Sequence, residues 1–143
     1  MEPQLRSGRQ TGRDGGEQVG RRFALGRGSM SVQTIERKQL MKVVTGLGRV
    51  SAVDVREIHF APGQETGRHM HPCAVVGYIV AGTAEYQIEG QPAQLLPTGS
   101  AFHEPAGKVI SSFRNRSKTE PMTFVAFYLL DGAQELITML DND

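Results

Sequence analysis

Gly63-Gln-Glu-Thr-Gly-Arg-His69-Met-His71-Pro72-Cys73-Ala74-Val75 sets two histidines two residues apart at the head of an apolar run. The run continues through Val75-Val-Gly-Tyr-Ile-Val80 and stops at Gly82. In a strand, alternate side chains share a face, so His69 and His71 point the same way, with Cα atoms ~7 Å apart. Two imidazoles converging on one face can share a metal ion at ~2.1 Å. The apolar stretch from Val75 to Val80 has almost no polar break, the pattern of a strand covered on both sides.

Working outward, short β-rich runs recur with turn residues between them. Val50 to Phe60 reads as one strand, or two joined at a bulge, because Val53 and Val55 keep one parity and Ile58 and Phe60 the other. Ala84, Tyr86 and Ile88 alternate with Glu85, Gln87 and Glu89, a half-buried pattern. Ala93 to Leu96, Ala101 to Glu104, Val109 to Asn115 and Met122 to Leu130 bring the total to about eight strands. Such a series predicts an all-β antiparallel sandwich or barrel. Ala133 to Leu140 carries Leu136, Met139 and Leu140 at helical spacing and predicts a short C-terminal helix.

The segment from Gly63 to Gly90 resembles the first signature of the cupin superfamily: glycine, five residues, His-x-His, three or four residues, a glutamate, six residues, glycine. Gly63, His69, His71 and Gly82 fall on its positions, and Val75 stands where the family has its metal-binding glutamate. The second signature has Gly99, Pro105 and Gly107 in frame. There Ile110 takes the place of the third ligand histidine and Arg114 that of the asparagine, with Asn115 one residue late. Phe102-His103-Glu104-Pro105-Ala-Gly107 also resembles a variant found in small single-domain bacterial cupins. The resemblance covers roughly residues 50 to 130. It implies a cupin jelly-roll barrel, a homodimer, a small-molecule ligand and a divalent metal (zinc, manganese, iron or nickel).

Two histidines make a weak site, because catalytic metal centres use at least three protein ligands. In the family frame the candidate replacements are His103 and Glu104. If Ala101 faces inward, His103 does too; a bend at Glu104-Pro105 reverses the choice, so both stand. Cys73, two residues past His71, is a candidate soft ligand or pocket residue, against the plainer reading of a small buried hydrophobe. Tyr86, Ile110 and Arg114 are the other expected pocket residues, and Arg114 either clamps a carboxylate or meets water at the rim. His59 reads as surface or structural. Two functions follow. One is a binding module with a decayed metal centre, its cavity made more lipophilic by Val75 and Ile110. The other is a metal-dependent enzyme of the dioxygenase or isomerase kind, using His69, His71 and His103 or Glu104.

The chain has 143 residues, one domain by length. Residues 1–30 hold seven Gly, six Arg and three acids, a net of +3, with no apolar periodicity. Residues 31–143 hold ten basic and twelve acidic residues, a net of −2, and form the expected domain. The first 30 residues read as a disordered arm, an over-extended start upstream of Met30, or a cloning remnant ending at Gly28-Ser29-Met30. Arginines without interleaved aromatics argue against nucleic acid. No apolar run approaches the ~20 residues of a membrane span, and none behind the basic residues resembles a secretory leader. A single cysteine, Cys73, leaves no internal disulfide and fits a reducing, cytoplasmic setting. Deleting residues 1–29 is expected to leave the melting temperature within ~5 °C of the full chain. A larger drop in a thermal scan would show that these residues help to hold the core.

Overall fold

The chain is built from β-strands in the computed structural model, which describes residues 34–141. Met1–Lys38 and Gln39–Asp143 are two separate units. Residues 34–38, the described part of the first, are exposed and irregular, and the Gly/Arg-rich stretch 1–30 lies outside the described residues. In chain order the strands are β1 (Ala52–Phe60), β2 (His69–Met70), β3 (Ala74–Ala81), β4 (Ala84–Ile88), β5 (Gln94–Leu96), β6 (Ala101–Glu104), β7 (Val109–Asn115), β8 (Met122–Leu130) and β9 (Thr138–Met139). They form two antiparallel sheets, ordered β1-β8-β3-β6 and β5-β4-β7-β2-β9. This is the all-β jelly-roll arrangement expected. The two sheets share no strand, so among the described residues they make an open sandwich rather than a closed barrel.

The core sits between the sheets. β8 sends Met122, Phe124, Ala126 and Tyr128 inward, and β7 answers with Ile110 and Phe113. Phe113 meets Phe124 with ring centroids 4.9 Å apart, and Phe124 meets Phe60 edge-on at 5.3 Å. Edge-on and tilted pairs of this kind add about 0.5–1.5 kcal/mol each beyond the area they bury.

Three expectations need correction. No helix forms over Ala133 to Leu140. Thr138 and Met139 pair with Met70 and His69, and Leu140 N donates to Arg68 O, so a sheet claims the backbone that helical spacing seemed to mark. β1 carries no bulge, for its register with β8 runs unbroken from Ala52↔Leu130 to Phe60↔Met122. Its parity change arises because Val53 and Val55 face away from the core and are 53% and 56% exposed, while Ile58 and Phe60 face in. β3 is likewise covered on one side only: Val75 and Ile79 are buried, whereas Tyr78 and Val80 stand on the outer face, open to solvent.

Two glycines are fixed by their surroundings. Gly82 turns β3 into β4 at φ +90°, and a Cβ there would come 3.1 Å from the Met122 Cα. Gly77 lies under the ring of Phe102, where a Cβ would stand 2.1 Å from Cζ. Gly77→Ala is expected to destabilise the fold by about 1–3 kcal/mol through overpacking. Adding Phe102→Leu should recover part of that loss in denaturant unfolding. A Gly77→Ala variant as stable as wild type would contradict this packing.

Candidate metal centre

His69 reaches the core through the shortest of strands. β2 is only two residues long, held between Ile110 of β7 and Met139 of β9. The alternation then decides who faces where. Arg68 points outward to Glu89, with its guanidinium nitrogens 3.0 and 3.3 Å from the two carboxylate oxygens. His69 and His71 point inward and are 1% and 3% exposed. Their rings stand nearly perpendicular, with centroids 5.0 Å apart. The His71 carbonyl accepts from Gly107 N, tying this segment to the turn after β6.

Each imidazole is oriented by a backbone carbonyl. His69 Nδ1 lies 2.7 Å from Gly67 O, with Thr66 Oγ1 at 3.2 Å. His71 Nδ1 lies 2.6 Å from Leu136 O. A carbonyl oxygen only accepts, so Nδ1 is the protonated nitrogen in both rings. That leaves both Nε2 atoms with a free lone pair in the neutral form, as in metal-ligating histidines whose second nitrogen donates to backbone.

The third donor is Glu104, 4% exposed at the end of β6. Its cross-strand neighbour on β3 is Val75. The carboxylate missing at Val75 is therefore present one strand over, at a distance of directly opposed Cβ atoms, ~5 Å. Glu104 Oε2 comes within 2.5 Å of His71 Nε2, yet that nitrogen has no aligned hydrogen-bond partner. Close approach without alignment is how two donors look when they aim at a common point rather than at each other. Donor atoms of His69, His71 and Glu104 all lie within 4.8 Å of one another and can hold a metal ion. Burial pushes the His69 imidazolium below the ordinary histidine range, against the Gly67 bond and the Glu104 charge. Burial presses His71 down too, but the Glu104 contact and its charge outweigh it, and His71 ends above that range.

His103 does not join this group. On β6 the buried residues are Phe102 and Glu104, so Ala101 and His103 take the opposite face. His103 is paired in register with Val76, and its Nε2 is buried without a partner there. The expected pocket residues also fall elsewhere. Cys73, Tyr86 and Ile110 are buried in the core but do not line the cavity beside the histidines. Tyr86 donates its hydroxyl to His103 O at 2.7 Å. Arg114 is exposed on the sheet surface, held by Glu85 at 3.0 Å. His59 is a surface residue between Glu57 and Thr123.

A cavity of about 110 Å³ opens from the three donors into the core. It is lined by Phe60, Phe102, Phe113, Phe124 and other apolar groups, with Thr66 and Tyr128 as its remaining polar side chains. The inward alternation of Met122, Phe124, Ala126 and Tyr128 was a usable signal for Tyr128. Thr66 and the Leu136 carbonyl carried none, since nothing local marks the partners of a distant imidazole.

Known structures share this architecture. An uncharacterised conserved protein with a double-stranded β-helix domain from Klebsiella pneumoniae superposes with a TM-score of 0.53 at 23% identity, covering 72% of this chain and 92% of that one. The DMSP lyase DddQ from Ruegeria pomeroyi gives 0.52 at 22% identity, over 61% of this chain and 42% of the lyase. The polyketide cyclase RemF from Streptomyces resistomycificus gives 0.53 at 14% identity, over 64% and 62%. The chain thus spans well under two thirds of the lyase, and at these identities the likeness is one of fold. No curated protein matches the sequence. The family model of the cupin domain matches residues 56–136, more than half of the sequence, and the chain belongs to the cupin-domain family.

Proposed function

We propose that this chain is a small-molecule-binding cupin protein that carries a divalent metal on His69, His71 and Glu104 and receives its ligand in the adjoining cavity. The observation that carries the reading is the convergence of three buried donors whose two imidazoles are locked in the ligating tautomer. A two-histidine, one-carboxylate set suits iron(II) and leaves coordination positions open, and zinc, manganese or nickel are alternatives. Those open positions favour, as a second reading, a metal-dependent enzyme of the dioxygenase or isomerase type. When bound, the ion would supply Lewis-acid or O₂-binding chemistry. The chain's own part is to orient the donors and to keep water from the apolar side of the cavity.

The protein also reads as a homodimer. The outer face of the β1-β8-β3-β6 sheet carries Val53, Val55, Val76, Tyr78, Val80 and Phe127, several of them open to solvent. The apolar sequence of β3 suits two covered faces, and the chain itself covers one. At the rim, Glu57 Oε1 lies 2.9 Å from His59 Nε2, so this carboxylate is engaged within the chain rather than offered to a partner. An uncharged apolar face is complementary to itself across a two-fold axis, which makes a second copy the fitting occupant. The single, buried, free Cys73 fits a reducing cytoplasm. The Gly/Arg-rich residues 1–30 are read as lying outside the domain.

Two measurements check these readings. In calorimetric titration, the wild type should bind one Zn²⁺ per chain. Glu104→Gln should weaken binding at least ~10–100-fold, the loss typical even of groups one shell further out. His103→Ala should leave the affinity within a few-fold. Equal zinc affinity in Glu104→Gln and wild type would sink the three-donor centre. Light scattering should give twice the 15.6 kDa chain mass, and Val55→Glu should shift it toward one. A wild type that stays at one chain mass would rule out the dimer.

A further inference from the structure

The cavity beside the metal donors has a charge balance that restricts what it accepts. Its apolar wall is made by Ile58, Phe60, Val75, Phe102, Phe113 and Phe124. No lysine or arginine lines it. Arginines that a charged ligand would need are held by carboxylates on the surface: Arg56 by Asp54, Arg114 by Glu85 and Arg68 by Glu89. Glu104 is the only carboxylate among the lining side chains. An anionic group carried past the donors would be buried unpaired among phenyl rings, a cost of several kcal/mol.

One further polar group faces this space. Tyr128 lies against His71, with ring centroids 5.8 Å apart, and its residue is 7% exposed. Its hydroxyl has no hydrogen-bond partner among the described residues. The hydroxyl lines the cavity and is free to pair with a ligand oxygen there. The size of the cavity sets the rest. About 110 Å³ is somewhat below the ~150 Å³ of an engineered apolar cavity that admits benzene. The cavity therefore takes nothing larger than a single six-membered ring or a branched chain of similar bulk.

We propose that the site selects a small, uncharged, ring-sized apolar molecule with one oxygen donor, its oxygen set between the His69–His71–Glu104 end and the Tyr128 hydroxyl, and that it excludes molecules bearing a second, anionic group. This deepens the metal-centre reading and rests on it for the position of the oxygen. Amino acids, dicarboxylates and sugar phosphates fall outside the class.

The test uses phenol and 4-hydroxybenzoate, which differ by one carboxylate, titrated into the full-length protein after Zn²⁺ binding has itself been measured. Phenol should bind at least a hundredfold more tightly than 4-hydroxybenzoate. Tyr128→Phe should weaken phenol by roughly 3- to 10-fold, the worth of one hydrogen bond, and leave Zn²⁺ affinity unchanged. If Zn²⁺ binds but 4-hydroxybenzoate matches phenol, or neither binds, the ligand class is wrong and the metal centre stands. If Zn²⁺ does not bind, the metal centre fails. The class is then judged on the metal-free protein, where hundredfold selection for phenol sustains it and lack of selection overturns it.

Discussion

Phe102 lies so close over Gly77 that a methyl group on that glycine would stand 2.1 Å from its ring. The contact commits β6 to a parity. With Phe102 turned into the core, Glu104 must follow it and His103 must face away. The carboxylate then stands opposite Val75, inside the sandwich, within reach of the histidines delivered by β2. Had the strand slipped by one residue, an imidazole would have taken that place and the donor set would have been three histidines. A packing constraint between two apolar positions thus selects the chemistry of the site.

The second determinant is the backbone around β2. Gly67 and Leu136 offer carbonyls to the Nδ1 atoms, and neither residue itself lines the cavity. They hold both rings with Nε2 inward before any ion arrives, which lowers the ordering cost that a flexible imidazole would face. The C-terminal segment therefore has a structural task that its helical spacing conceals. Sheet pairing at β9 positions Leu136 so that its carbonyl can orient His71.

Much of this was legible in the chain. The His69–His71 spacing, the glycine at 82 and the short strands between turns marked the fold, because period-two alternation and positive-φ turns are local properties. Gly82 does adopt φ +90°. The third donor was narrowed to two neighbours and not resolved, because parity along β6 depends on Phe102 meeting Gly77, a contact across strands. The pocket residues were harder still. Tyr86 and Ile110 have the inward parity expected of them, but their neighbours line the cavity instead: Phe102 and Phe113, against which Tyr86 packs, and His69, which pairs with Ile110. Arg114 meets solvent on the sheet surface, the alternative its rim position allowed, and Glu85 on the adjacent strand explains where its charge goes. Local sequence reports which face a residue takes far better than which part of that face becomes the cavity.

X-ray absorption at the zinc edge, on the protein loaded with one equivalent, tests the account most directly. Two imidazole nitrogens at ~2.0–2.1 Å and one protein carboxylate, completed by water oxygens, are expected in the first shell. Loss of the carboxylate signature in Glu104→Gln, with both imidazoles retained, would fit that assignment. A shell with three imidazoles, or with none, would contradict it, because the inward parity of β6 leaves room for Glu104 and turns His103 away.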